Sequence, residues 1–227
     1  MGAPTDLPIA ERRPLRSRST PWANALSSAL VRRNVTANAV SAGGLVAGLL
    51  AGASFAATSC WPALERPLLV AGAGFVQLRL LANLLDGMVA LGGGRKSPTG
   101  PLWNELPDRL ADVAILVGVG YAATGHPTLG WLAAVIAVGT AYVRAEVRAS
   151  GAPNDFCGPM AKQHRMAVVT VAALSLAALP SGWRPALGSD GRHGLLSIAL
   201  ALIVVLGVVT IVRRVARAAK ALRAKAR

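Results

Sequence analysis

The sequence predicts an all-α polytopic membrane protein, with six transmembrane helices and a short N-terminal amphipathic helix lying in the interface. Three observations predict it. The chain is 53% hydrophobic, with a mean hydropathy of +0.49, yet carries a formal net charge of +14. Its charges gather between apolar runs instead of spreading along the sequence. The basic residues also fall overwhelmingly on alternate connections, the asymmetry that sets orientation in a bilayer.

Taken in order, residues 1–19 mix Pro, Ser, Thr and Arg and read as a disordered basic tail. No apolar core segment of a signal peptide appears in the first thirty residues. Trp22, Leu26, Leu30 and Arg33 then recur at helical spacing, as in a helix lying along the interface. Apolar runs follow at Ala37–Ala57, Pro67–Leu91, Leu106–Thr124, Leu129–Val143, Met166–Leu179 and Leu195–Val212. A helix crossing a bilayer needs about 17 to 25 such residues. The fourth and fifth runs are short by that measure and draw on the connection between them. The membrane domain thus spans residues 20–215, and residues 216–227 form a basic extension held by anionic headgroups.

Arg12, Arg13, Arg16, Arg18, Arg32 and Arg33 precede the first run. Arg95 and Lys96 lie between the second and third, and Arg144, Arg148, Lys162 and Arg165 between the fourth and fifth. Seven more basic residues run from Arg213 to Arg227. The opposite side holds only Arg66, Arg184 and Arg192. Both termini are therefore expected in the cytoplasm, with the chain multi-pass in the inner membrane. Nucleic acid is not an expected partner, because the basic tail lacks interleaved aromatic residues for base stacking. Cys60 and Cys157 fall on opposite sides and cannot pair. Without CxxC spacing they do not suggest zinc. His126 and His193 read as solvated loop residues, and His164 as a weak candidate for phosphate contact.

Small residues carry two different messages. Gly43, Gly44, Gly48 and Gly52 form a small-xxx-small stripe for close helix packing. Gly92-Gly93-Gly94 reads as a helix stop, without the Gly-Lys-Ser/Thr ending of a nucleotide-binding loop.

The chemistry concentrates at one edge of the second and third runs. Asn83, Asp86, Gly87 and Ala90 recur at i, i+3, i+4 and i+7, and Gly100, Asn104, Asp108 and Asp112 recur every four residues. Each set lies on one helix face. Ionisable groups at membrane depth are costly and mark function. Two faces carrying oxygen ligands beside a glycine suit a metal ion and a phosphate held between helices. A transporter would place its polar groups near mid-bilayer between inverted repeats, and no internal repeat is visible here.

These residues resemble the signature of the CDP-alcohol phosphotransferase family, written DG-x2-AR-x8-G-x3-D-x3-D. Asp86-Gly87, Ala90, Gly100 and Asp108 fall at matching positions with both gaps intact. Asn83 stands where the family has a further Asp, Asn104 replaces its penultimate Asp, and Leu91 replaces its Arg. Thr36-Ala37-Asn38-Ala39-Val40-Ser41 is similar to the family's Thr-Pro-Asn-x-x-Thr/Ser segment, with Ala37 in place of Pro.

The resemblance implies an enzyme of phospholipid synthesis, moving a substituted phosphate from a CDP-alcohol, CDP-diacylglycerol being the expected donor, to an acceptor alcohol with release of CMP. It implies Mg²⁺ or Mn²⁺, a homodimer, Asp108 as the catalytic base, and Asp86, Asp108, Asn83 and Asn104 as the metal ligands. Asn38, Ser41, Gly87, Ala90 and Gly100 become donor contacts. Arg144, Lys162 and Arg165 become contacts to an anionic acceptor. Two Asp-to-Asn departures remove two of four negative charges, so one weakly held metal in place of the usual pair is expected. Glu105 is a candidate to restore a charge, although it points about 100° around the helix from Asn104. A non-catalytic relative binding nucleotide or lipid is the alternative that these departures leave open. Arg79 lies two turns deeper than Asp86, and Asp112 one turn deeper than Asp108. Each would be an uncompensated charge alone, so they are expected to pair beneath the site.

Overall fold

A computed structural model describes residues 20–92, 99–153, 157–185 and 193–225. The basic tail 1–19, Gly93, Gly94, Arg95, Lys96, Arg192 and Arg227 lie outside the described residues. All described elements are helical: α1 Pro21–Arg32, α2 Ala37–Cys60, α3 Glu65–Gly92, α4 Gly100–Gly120, α5 Pro127–Ala149, α6 Lys162–Ala178 and α7 Leu195–Lys225, with 3₁₀ turns at Pro62–Leu64 and Ser181–Trp183.

Six of these helices close a ring. α2 packs against both α3 and α4; α4 packs on α5, α5 on α7, α7 on α6, and α6 returns to α3. Short α1 leans on α3 through Ala23 and Ser27, leaving Trp22 and Leu26 outward. The ring interior is filled by Phe55, Leu69, Val76, Ile115, Leu116, Met166, Leu176, Leu196, Leu200 and Ile203. Large apolar side chains such as Val46, Val135, Val171, Val205 and Val212 point outward instead. An outer surface of that kind suits lipid better than water.

The glycine stripe of α2 explains why α2 and α4 are so close. A Cβ added at Gly48 would meet the Ala111 methyl, and one at Gly52 would strike the Ala114 carbonyl. Gly118 of α4 faces the Gly52 backbone in return. Gly44 faces Ala82 of α3, so one stripe serves two neighbours, whereas Gly43 faces open space and belongs to neither contact.

Four helices are long and apolar enough to cross a membrane: α2, α3 with its preceding turn, α5 and α7. α4 falls short because Glu105, Asp108, Arg109 and Asp112 interrupt it, and α6 because it has 17 residues. The fourth apolar run is extended at both ends, to Pro127–Ala149, by residues too polar to register as apolar. α4 begins six residues before the apolar run predicts. Thr99 precedes it, and a proline in its first turn costs no hydrogen bond there. Pro107 lies inside the helix, where it has no N–H for the Trp103 carbonyl, so the ladder is interrupted next to Asp108. α7 runs 31 residues, about 46 Å. A hydrocarbon core is about 30 Å thick, so α7 is longer than a single crossing requires, with Arg223 and Lys225 in its last turns.

Candidate active site

The polar residues meet where α2 and α4 begin, α3 ends and α6 begins. On α2, the Thr36 hydroxyl accepts from the Ala39 N–H at 3.2 Å and caps the helix. That fixes the first turns carrying Asn38, half-buried, and Ser41, buried. The Ser41 hydroxyl donates to Asp86 Oδ2 at 3.0 Å, and the Gly87 N–H donates to Asp86 Oδ1 at 2.5 Å. Asp86 is 6% exposed, and the charges of Asp108 and Lys162 both reach it.

Asp108 is the hub on α4. Its Oδ2 accepts from Asn83 Nδ2 at 3.0 Å and from the Lys162 ammonium, while its Oδ1 lies 3.3 Å from the Arg79 guanidinium. Arg79 also donates to the Asp108 backbone carbonyl at 3.0 Å. Asn83, Asp86, Asp108 and Lys162 are thus brought together from three helices. Asn104 is exposed, and no described contact joins it to the other candidate ligands. Gly87 and Ala90 are half-buried near the end of α3, and Gly100 opens α4.

Beneath the hub lies the expected pair, extended by a third member. Arg79 Nη2 sits 2.5 Å from Asp112 Oδ1, and Arg165 Nη2 sits 2.9 Å from Asp112 Oδ2. Arg165 also donates to Thr140 Oγ1 at 3.2 Å and to the Met160 carbonyl at 3.1 Å. All three charged residues are buried to 1% exposure. Arg165, expected at the acceptor, is therefore held by Asp112 in the interior. Thr140 and the Met160 carbonyl carried no signal in the sequence. Arg214 of α7 joins the same layer, donating to the Thr140 carbonyl at 2.8 Å and the Cys157 carbonyl at 3.0 Å.

At the outer rim, Glu105 receives two guanidinium groups, Arg109 and Arg144, each at 2.7 Å. Arg109 also lies 3.9 Å from Asp108 Oδ2 and links this rim to the hub. Glu105 is consequently directed at cations rather than at Asp86. It stands ahead of the apolar stretch of α4, as Lys162 does on α6. Burial alone would raise the Glu105 carboxyl, but Arg109 and Arg144 hold it below the usual carboxylate range. Burial, with Arg79 close by, pushes the Lys162 ammonium down to about 8. His164 is exposed and turns to the Pro159 carbonyl at 2.8 Å. His126 and His193 stack on each other with ring centroids 4.5 Å apart, and no disulfide joins Cys60 to Cys157.

Among the described residues no three His, Cys, Asp or Glu side chains gather as a metal site. What is gathered is two carboxylates, Asp86 and Asp108, with the Asn83 amide beside them. Hard oxygen donors of this kind fit a single Mg²⁺ or Mn²⁺ and fall short in charge for two.

No family model matches the chain. It is 33% identical over 135 residues to a phosphatidylinositol phosphate synthase of Cutibacterium acnes, a stretch covering 55% of this chain and 61% of that protein. The aligned part therefore spans less than two thirds of that relative. Two crystal structures of a Mycobacterium tuberculosis phosphatidylinositol phosphate synthase share the fold, each with a TM-score of 0.67 and 22% identity. One, in complex with manganese and citrate, matches over 86% of this chain and 88% of its own; the other, with CDP-DAG bound, over 88% and 94%.

Proposed function

We propose that this chain is an integral membrane transferase that moves a substituted phosphate from a CDP-alcohol to an acceptor alcohol and releases CMP. CDP-diacylglycerol is the expected donor, and the product a phospholipid or a related phosphodiester. One observation carries the reading: Asp86 and Asp108, on separate helices, come together with Asn83 and Lys162 at one end of a fold shared with enzymes of that kind. The six ring helices all cross the inner membrane, with both termini in the cytoplasm and α1 in the interface. The outward apolar surface supports lipid contact, and with it room for a homodimer.

The residues divide the work as follows. Asn38 and Ser41 on α2, with Gly87, Ala90 and Gly100, border the space for the cytidine diphosphate, where missing or small side chains allow close approach. Asp86, Asp108, Asn83 and Asn104 are the proposed metal ligands. A divalent cation held there would supply charge neutralisation at the transferred phosphate. The acceptor oxygen bonds to the phosphorus distal to cytidine, and the bond from that phosphorus to the bridging oxygen breaks. CMP leaves with that oxygen, and Asp108 takes the acceptor's proton. Lys162 and Arg79 hold the Asp108 carboxylate in orientation for that transfer. Lys162 and Arg144 border the acceptor side, and Arg165 supports it from below through Asp112.

One observation favours a second reading, a non-catalytic relative that binds nucleotide or lipid. Asp108 is already paired with Lys162, and two amides stand where two more carboxylates would strengthen metal binding. Purified protein incubated with radiolabelled CDP-diacylglycerol, Mg²⁺ or Mn²⁺ and a panel of alcohols separates the two. The transferase reading expects CMP release that falls by at least about 100-fold in Asp108→Asn, the scale of a lost general base. Nucleotide binding without CMP release under any condition contradicts it.

A further inference from the structure

We propose that Glu105 is a specificity-determining residue that occupies the cationic side of the acceptor subsite, so that the acceptor is an uncharged alcohol rather than a phosphomonoester. The inference rests on the transferase reading above and names the substrate class of that same site.

The basic residues around the hub are what would suggest an anionic acceptor. Among the described residues, Arg79, Arg109, Arg144, Lys162 and Arg165 each already meet a carboxylate of this chain. Arg109 and Arg144 each lie 2.7 Å from one oxygen of Glu105, so both of its oxygens are used. Lys162 is paired with Asp108. Arg165 lies 2.9 Å from Asp112 and is buried away from the rim. A phosphomonoester arriving beside Asp108 would have to take Arg109 and Arg144 from Glu105, leaving that carboxylate against its own negative charge. Like charges placed together discriminate strongly against the wrong partner. An uncharged polyol meets no such repulsion and can hydrogen-bond to the Glu105 and Asp108 oxygens as they stand. Glu105 is 49% exposed, so it stands at the rim, within reach of a soluble acceptor, and not in the packed interior.

Glu105→Gln removes the charge and keeps the shape. Exposed ion pairs contribute little to stability, so the variant folds. Two measurements test the proposal on the full chain in detergent. In the first, glycerol 3-phosphate binding is followed by ³¹P line broadening. The wild type binds weakly, Glu105→Gln binds at least about tenfold more tightly, and adding Arg144→Gln removes the gain. In the second, transfer from CDP-diacylglycerol to glycerol is compared with transfer to glycerol 3-phosphate. The wild type favours glycerol, and Glu105→Gln moves the ratio at least about tenfold toward the phosphate ester. Wild-type preference for the phosphate ester, or an unchanged ratio and binding in Glu105→Gln, overturns the proposal. Absence of CMP release with every acceptor overturns the transferase reading alone, and the binding comparison still decides whether Glu105 repels phosphate.

Discussion

Asp112 shows how one side chain can hold the interior of a helix bundle together. It receives Arg79 from α3 and Arg165 from α6, all three nearly inaccessible. Removing one partner of a buried ion pair leaves an uncompensated charge and costs roughly 3 to 5 kcal/mol. Asp112→Asn is accordingly expected to lower the Tm of the detergent-solubilised protein markedly; an unchanged Tm contradicts this role. The Arg79–Asp112 pairing was legible in the sequence, because a charge inside an apolar run needs a partner at matching depth. Arg165 was not, because it precedes its apolar run and reads as a rim residue. The same blind spot hid the partners of Glu105. Spacing showed only that Glu105 points away from Asn104, whereas Arg109 one turn on and Arg144 from another helix determine what it meets.

At the scale of helices, close approach of α2 to α4 sets the distance between the two halves of the site. Gly48 and Gly52 permit it, and Gly118 answers from the other side. Gly52→Leu would press a side chain against the α4 backbone, where no flexible atom can yield. Overpacking of that kind costs typically 1 to 3 kcal/mol. The expected outcome is a lower Tm together with weaker metal binding, since Asp108 rides on α4; normal values for both contradict the packing argument. The stripe was readable because small residues every four positions have few uses in a membrane helix. The start of α4 was not. Apolarity places it at Leu106, while the helix begins at Gly100, since polar first turns at a membrane surface carry no hydropathy signal. Pro107, ordinarily a sign of a helix end, lies inside α4 instead.

For the whole molecule, six apolar runs are countable in the sequence, but neither the ring they close nor the order around it is. Periodicity shows which face of a helix is buried without saying against what. Only the folded chain shows α2 between α3 and α4, and hence Asp86 and Asp108 at one end. The proposed orientation puts Cys60 outside and Cys157 in the cytoplasm. In single-cysteine variants on intact cells, a membrane-impermeant maleimide should label Cys60 and reach Cys157 only after permeabilisation; labelling of both from outside contradicts it. In the proposed site Asp86 and Asp108 hold one cation between two helices. Mn²⁺ titration of the purified protein, followed by the EPR signal of the free ion, tests it most directly. One bound Mn²⁺ per chain is expected, weakened at least about tenfold by Asp86→Asn and by Asp108→Asn alike, in keeping with affinity that follows ligand charge. Mn²⁺ affinity left unchanged by both substitutions would contradict it.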